Sequence, residues 1–132
     1  MRILYVDDDA LAVKAVSREL RAGADIVVRS VTSPREALEL ARTEEWDVIL
    51  SDFSMPEMDG VEFLEETLAL QPEAKRLLLT GSPDEPRVQA ALRAGLVSEV
   101  LSKPVAVAVL REAVGVVARS HRTTPRDGTP IM

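Results

Sequence analysis

The chain reads as an α/β fold, a five-stranded parallel sheet with helices on both faces. Three observations predict it. Short apolar runs alternate with amphipathic helical stretches five times over 132 residues. The run Val48-Ile49-Leu50 lacks alternation, as suits a central strand covered on both faces. Four of the runs end on a charged or hydroxyl residue, so in a parallel sheet those ends share one edge.

Each element has its own signal. Ile3-Leu4-Tyr5-Val6 makes residues 2–6 strand one, which ends in Asp7-Asp8-Asp9. Asp8 or Asp9 caps a helix over about residues 11–22, and Gly23 stops it. Ile26, Val27, Val28 and Val31 mark strand two over 25–31. Ser33-Pro34-Arg35-Glu36 is a helix start, with Ser as N-cap, Pro in the first turn and Glu at the capping-box position; this helix runs to about residue 42. Strand three covers 46–52, and 54–60 is a loop with Pro56 and Gly60 as breakers. Val61, Leu64 and Leu68 fall at i, i+3 and i+7 and predict a helix over 61–70, with Pro72 beyond its end. Strand four covers 75–80. Pro83-Asp84-Glu85-Pro86 opens a helix over about 84–94 that Gly95 stops. Strand five covers 97–101, and a last helix covers 105–119.

Right-handed crossovers and five strands fit the flavodoxin-like order 2-1-3-4-5 with five flanking helices. The switch point of that order lies between strands one and three, where Asp7 and Asp8 meet Asp52. One domain is expected over residues 1–118, with 119–132 as a flexible tail or truncated linker.

Bulk composition narrows the function. Hydrophobic residues make up 46%, enough for a real core, and the net charge of −6 argues against a nucleic-acid surface. With no cysteine there is neither a disulfide framework nor a thiolate metal site. The single histidine, His121, is expected in the polar tail, away from any site. No apolar stretch approaches the ~20 residues that span a membrane. The chain starts directly into a strand without a signal-peptide pattern, so a cytoplasmic protein is expected.

The four polar strand ends bring together Asp7, Asp8, Asp52, Thr80 and Lys103. Taken singly, each has an ordinary reading: a helix cap, a turn residue, a surface charge. Together, at the crevice of this fold, they form a chemical set. Clustered carboxylates repel, and each pKa rises unless a cation neutralises the group. Mg²⁺ suits such a set, since it takes hard oxygen ligands and usually one or two carboxylates plus a phosphate oxygen. Phosphoryl transfer needs positioning and charge neutralisation more than covalent assistance. Asp52 would attack phosphorus in line, Mg²⁺ and Lys103 would hold two phosphoryl oxygens, and the Thr80 hydroxyl would donate to a third.

The segments Ile3-Leu4-Tyr5-Val6-Asp7-Asp8-Asp9, Ser51-Asp52-Phe53-Ser54-Met55-Pro56-Glu57-Met58-Asp59-Gly60, Leu79-Thr80-Gly81 and Ser102-Lys103-Pro104 resemble the receiver domain of two-component response regulators. The 2-1-3-4-5 order is shared by flavodoxin and a chemotaxis receiver, so it is not independent of this resemblance. The resemblance implies Asp52 as phosphoacceptor, Asp8 as direct Mg²⁺ ligand, and Asp7 holding the metal largely through water. It also implies the Ser54 backbone carbonyl as a further ligand, Thr80 as switch hydroxyl and Lys103 as ion-pair partner of the phosphoryl group, ahead of a cis Lys103–Pro104 bond. The implied phosphodonor is a histidine kinase or phosphotransfer protein. No enzymatic turnover is implied beyond the domain's own phosphoryl transfer and autodephosphorylation.

Two positions depart from the family pattern. Many relatives carry an aromatic residue in strand five that fills the space Thr80 leaves on activation; here Val100 stands there. Gly81 replaces the more common alanine and either fits a tight turn or loosens the loop. In the last helix, Val105, Ala106, Val107, Ala108, Val109, Leu110, Val114, Val116 and Val117 cover nearly the whole circumference, which predicts a dimer or partner surface at the helix 4/strand 5/helix 5 face.

Other readings fit less well. A haloacid-dehalogenase-type phosphatase places its nucleophile at the end of strand one, not strand three. A flavin site needs a hydroxyl- and glycine-rich loop where this chain has Asp7-Asp8-Asp9. The remaining alternative is a receiver-fold interaction module whose output does not depend on phosphorylation.

Overall fold

A computed structural model describes residues 1–21 and 25–123. Five strands and five helices alternate as β1 (Arg2–Val6), α1 (Ala10–Arg21), β2 (Val27–Val31), α2 (Pro34–Thr43), β3 (Val48–Asp52), α3 (Gly60–Leu70), β4 (Lys75–Thr80), α4 (Pro86–Arg93), β5 (Glu99–Ser102) and α5 (Val107–Thr123). The strands form one sheet in the order β2-β1-β3-β4-β5, every pair parallel. Fold class and strand order are those the sequence predicts.

The period-2 alternation of each strand divides the core into two layers. Leu4, Val6, Ile49 and Leu78 point to one face, where Ala37 and Leu38 of α2, Phe63 and Leu64 of α3 and Val88 of α4 cover them. Ile3, Tyr5, Leu50, Leu77 and Leu79 point to the other, under Leu20 of α1 and Leu110 and Val114 of α5. β3 is central and buried along its whole length, which accounts for its uninterrupted apolar run.

Element ends differ from the sequence reading for identifiable reasons. β2 starts at Val27 rather than residue 25 because Asp25 takes a left-handed φ of 65°, which a strand cannot use. α4 starts at Pro86 rather than near residue 84. Glu85 is its N-cap and accepts from the Arg87 and Val88 amides at 3.2 and 3.3 Å. α4 ends with Gly95 at φ 78°, as a helix-stopping glycine should. Of the two candidate caps for α1, Asp9 does the capping, with its Oδ1 2.9 Å from the Leu11 amide. The predicted stop at Gly23 lies outside the described residues.

Gly60 is not a breaker. It is the first residue of α3, and a Cβ there would overlap the Asp52 carbonyl oxygen and lie 2.7 Å from Leu78 Cδ1. Glycine is needed because the helix start presses against the end of β3. Gly81 has no positive φ, and a Cβ there would meet open space, so neither its backbone nor its surroundings demand glycine. α5 continues past residue 119 to Thr123, so His121 belongs to this helix rather than to the tail. Residues 124–132 lie outside the described residues.

Candidate functional site: the carboxyl edge of the sheet

Three backbone hydrogen bonds extend the sheet ladder past the strand ends and fix the residues that follow. The Asp7 amide donates to the Val31 carbonyl (3.3 Å), Phe53 to Leu79 (2.8 Å) and Lys103 to Thr80 (2.8 Å). One oxygen from each carboxylate of Asp7, Asp8 and Asp52 therefore lies within 4.8 Å of the others. Lys103 pairs directly with Asp52 Oδ1, and its Nζ is 3.5 Å from Asp7 Oδ2. The Lys103–Pro104 peptide bond is cis. All five residues predicted from the strand ends line this edge.

The three carboxylates are not equivalent. Asp7 is 1% exposed, and both of its oxygens accept a hydrogen bond from within the protein. Its Oδ1 accepts the Asp9 amide at 3.0 Å, while Oδ2 accepts the Tyr5 hydroxyl at 2.9 Å and faces Lys103. Asp52 is 5% exposed and keeps capacity beyond its pairing with Lys103. Asp8 is exposed. It borders a cleft of about 450 Å³ that Phe53, Ser54, Met55, Pro56 and Asp59 complete. Three hard-oxygen ligands of unequal burial beside an open cleft fit a small divalent cation better than a soft metal. Ser54, whose carbonyl is a further expected ligand, lines the same cleft.

Electrostatics follow burial. Desolvation raises the Asp52 pKa, the nearby charges of Asp7 and Asp8 add to it, and the hydrogen bond from Lys103 opposes it. Burial would lower the Lys103 pKa, but its bond to Asp52 and the two carboxylate charges outweigh that and raise it. The ammonium therefore stays charged. Burial also raises the Tyr5 pKa, and the Asp7 charge adds to this, so Tyr5 acts as a hydrogen-bond donor.

Thr80 is 3% exposed, and its Oγ1 accepts the Ser82 amide at 2.9 Å. Its own proton stays free to donate. Val100 is half-buried against the α2/α3/α4 layer, on the same sheet face as its register partner Leu78.

Two contributors were missed in the sequence. Tyr5 is the chain's single tyrosine and stands two residues before Asp7. Strand periodicity puts both on one face, so the pairing was within reach of the pattern. The other is the ion pair of Arg87 with Asp59, 28 residues apart, which ties α4 to the N-cap of α3. Asp59 and Glu62 also form a full capping box, with bonds of 2.9 and 3.3 Å.

Comparison with known proteins agrees with this geometry. Residues 3–115 match the family model described as the response regulator receiver domain. A response regulator receiver protein of Anaeromyxobacter sp. (strain Fw109-5) is 38% identical over 106 residues, covering 80% of this chain and 44% of the relative. The response regulator protein VraR of Staphylococcus aureus is 34% identical over 120 residues, covering 87% and 57%. The crystal structure of a CheY-like response regulator receiver domain protein from Methanospirillum hungatei JF-1 superposes with a TM-score of 0.86 at 27% identity, covering 94% of this chain and 98% of that one. The chain belongs to the response regulator receiver domain family. It spans about half the length of the curated relatives it matches. No helix among the described residues is long and apolar enough to cross a membrane.

Proposed function

We propose that this receiver is a phosphorylation-dependent switch that takes a phosphoryl group onto Asp52. The observation that carries the reading is the pairing of Lys103 with Asp52 beside two further carboxylates, at the end of the central strand. In the reaction an Asp52 carboxylate oxygen forms a bond to phosphorus as the bond from phosphorus to the donor breaks. With a histidine kinase or phosphotransfer protein as donor, the departing group is an imidazole. The raised pKa of Asp52 makes its ionised form a stronger nucleophile, and Lys103 keeps that form available.

Asp8, Asp52 and the Ser54 carbonyl are the groups free to ligate Mg²⁺ directly. Asp7, whose oxygens already accept two protein hydrogen bonds, contributes its charge and reaches the metal through water. A bound Mg²⁺ supplies charge neutralisation and polarises the phosphoryl oxygens. Lys103 pairs with one phosphoryl oxygen, and Thr80 turns its free proton toward another. That movement releases Thr80 from the Ser82 amide and so loosens the loop between β4 and α4.

The surface that changes is the α4/β5/α5 face, where Leu92, Val107 and Val109 are 36%, 41% and 50% exposed. The side chains of Val116 and Val117, also predicted there, lie outside the described ones. A homodimer or another partner docks on this face. With Val100 in place of an aromatic residue, repacking around Thr80 involves a smaller apolar side chain. The domain over residues 1–118 acts in the cytoplasm, without direct contact to nucleic acid.

Incubation with acetyl phosphate and Mg²⁺ tests the proposal by mass spectrometry. The chain gains one phosphoryl mass, and the gain disappears with EDTA or with Asp52→Asn. No gain, or a gain that survives Asp52→Asn, favours an interaction module whose output ignores phosphate.

A further inference from the structure

A second charged feature lies on the outer side of the molecule, away from the acidic edge. Lys14, Ser17, Arg18 and Arg21 stand at i, i+3, i+4 and i+7 of α1 and so share one helix face. With Val13 and Ser30 they line a groove of about 570 Å³ between α1 and the edge strand β2. That volume suits a small ligand.

Three observations point to an anionic occupant. In a chain of net charge −6, three cations line one groove. Among the described residues, Lys14 and Arg18 have no ion-pair or hydrogen-bond partner, and Arg21 donates only to the Val28 carbonyl at 2.9 Å. Ser17 is 3% exposed, and its hydroxyl is buried without a hydrogen-bond partner. A serine in mid-helix that only filled space would be as well served by alanine, and a buried hydroxyl left unpaired is costly. The Glu19 carboxylate, about 140° round the helix from Lys14 at 100° per residue, does not join this face.

We propose that the α1/β2 groove binds a small phosphate-bearing anion, held by Lys14, Arg18 and Arg21, with the Ser17 hydroxyl as a further hydrogen-bonding group. Guanidinium groups match the phosphate geometry, and several cations on one side suit a multiply charged phosphate better than a single carboxylate. The open edge beyond β2 gives such a ligand a way in. The site is separate from Asp52 and does not depend on phosphorylation there.

The test uses ¹⁵N-labelled protein in EDTA, titrated with sodium pyrophosphate, with sodium chloride at matched ionic strength as control. Saturable amide shifts over residues 13–21 and at Ser30 are expected with pyrophosphate only. The double variant Lys14→Gln/Arg18→Gln, both side chains exposed, should weaken binding at least about fivefold while leaving acetyl phosphate uptake on Asp52 unchanged. Ser17→Ala should weaken binding without lowering thermal stability. Equal shifts with chloride, or shifts that ignore the double variant, overturn the proposal as general screening only. A glutamate-rich peptide that binds these residues more tightly than pyrophosphate overturns it in favour of an acidic protein partner.

Discussion

The two ends of the sheet are built from similar residue types to opposite effect. At the amino end most polar groups meet a complementary one, the buried Arg2 Nε being left without a hydrogen-bond partner. The Arg2 amide donates to Asp47 Oδ2 at 2.8 Å, its guanidinium bonds Glu44 at 2.5 Å, and it stacks 4.6 Å from the centre of the Trp46 ring. Gln71 donates to the Ala41 and Glu44 carbonyls at 2.8 and 2.7 Å, closing the ends of α2 and α3. At the carboxyl end three carboxylates cluster while one ammonium pairs with two of them, and burial makes the ionised form of Asp52 harder to hold. Charges arranged for stability are paired off. Charges arranged for reaction keep unspent capacity, and the fold holds them there because the ladder leaves those residues no alternative position.

This contrast can be broken at either end. The largest effect is expected at the amino end from Trp46→Ala. Trp46 is 4% exposed, and its Nε1 donates to the Leu40 carbonyl at 3.0 Å. Removing it should cost about 3–5 kcal/mol in urea melts, as aromatic truncations in cores do. The folded fraction should still take up phosphate on Asp52, since the residue is far from the reacting groups.

Gly60→Ala places a structural demand at the reactive end. The neighbour in the way is a backbone carbonyl, which cannot swing aside. A loss of about 1–3 kcal/mol is expected, as for overpacked sites. Phosphoryl uptake should slow as well, because relief of the overlap moves α3 away from Asp52. A stable, fully active Gly60→Ala protein would show that the close approach is not needed.

Arg87→Gln should have the smallest effect, about 1–2 °C in Tm, because Arg87 is half exposed. Burial would raise the Asp59 pKa, but the Arg87 pairing and the Glu62 amide outweigh it and lower the pKa from 3.8. A carboxyl group with a depressed folded-state pKa contributes stability above its unfolded value and loses it as pH falls through the folded value. The difference between wild type and variant should therefore hold at neutral pH and vanish in acid below 3.8. A difference that grows in acid would contradict the pairing.

Much of the reactive end was legible in the sequence because each of its residues ends a strand or lies within two residues of a strand's end. Asp7, Asp8, Asp52, Thr80 and Lys103 needed only the strand order to come together. The amino end was not legible. Arg2 and Asp47 are 45 residues apart, and Trp46 and Gln71 are 25 apart, with no shared pattern. Gly60 looked like a breaker because the sequence shows that a glycine is present but not what approaches it. In α5, Leu110, Ala113 and Val114 face the core while Val107 and Val109 remain exposed, a division that a nearly all-apolar circumference does not reveal.

The carboxyl edge is an electrostatic burden kept for its chemistry. Thermal melts of the wild type and Asp52→Asn, each in EDTA and in Mg²⁺, test it most directly. A raised carboxyl pKa means that ionised Asp52 destabilises the fold, so at neutral pH without metal the variant should melt higher. Lowering the pH should close that gap. Mg²⁺ should raise the wild-type Tm more than that of the variant. If Asp52→Asn melts lower than wild type in EDTA, the Asp52–Lys103 pair is a net stabiliser and the account is wrong.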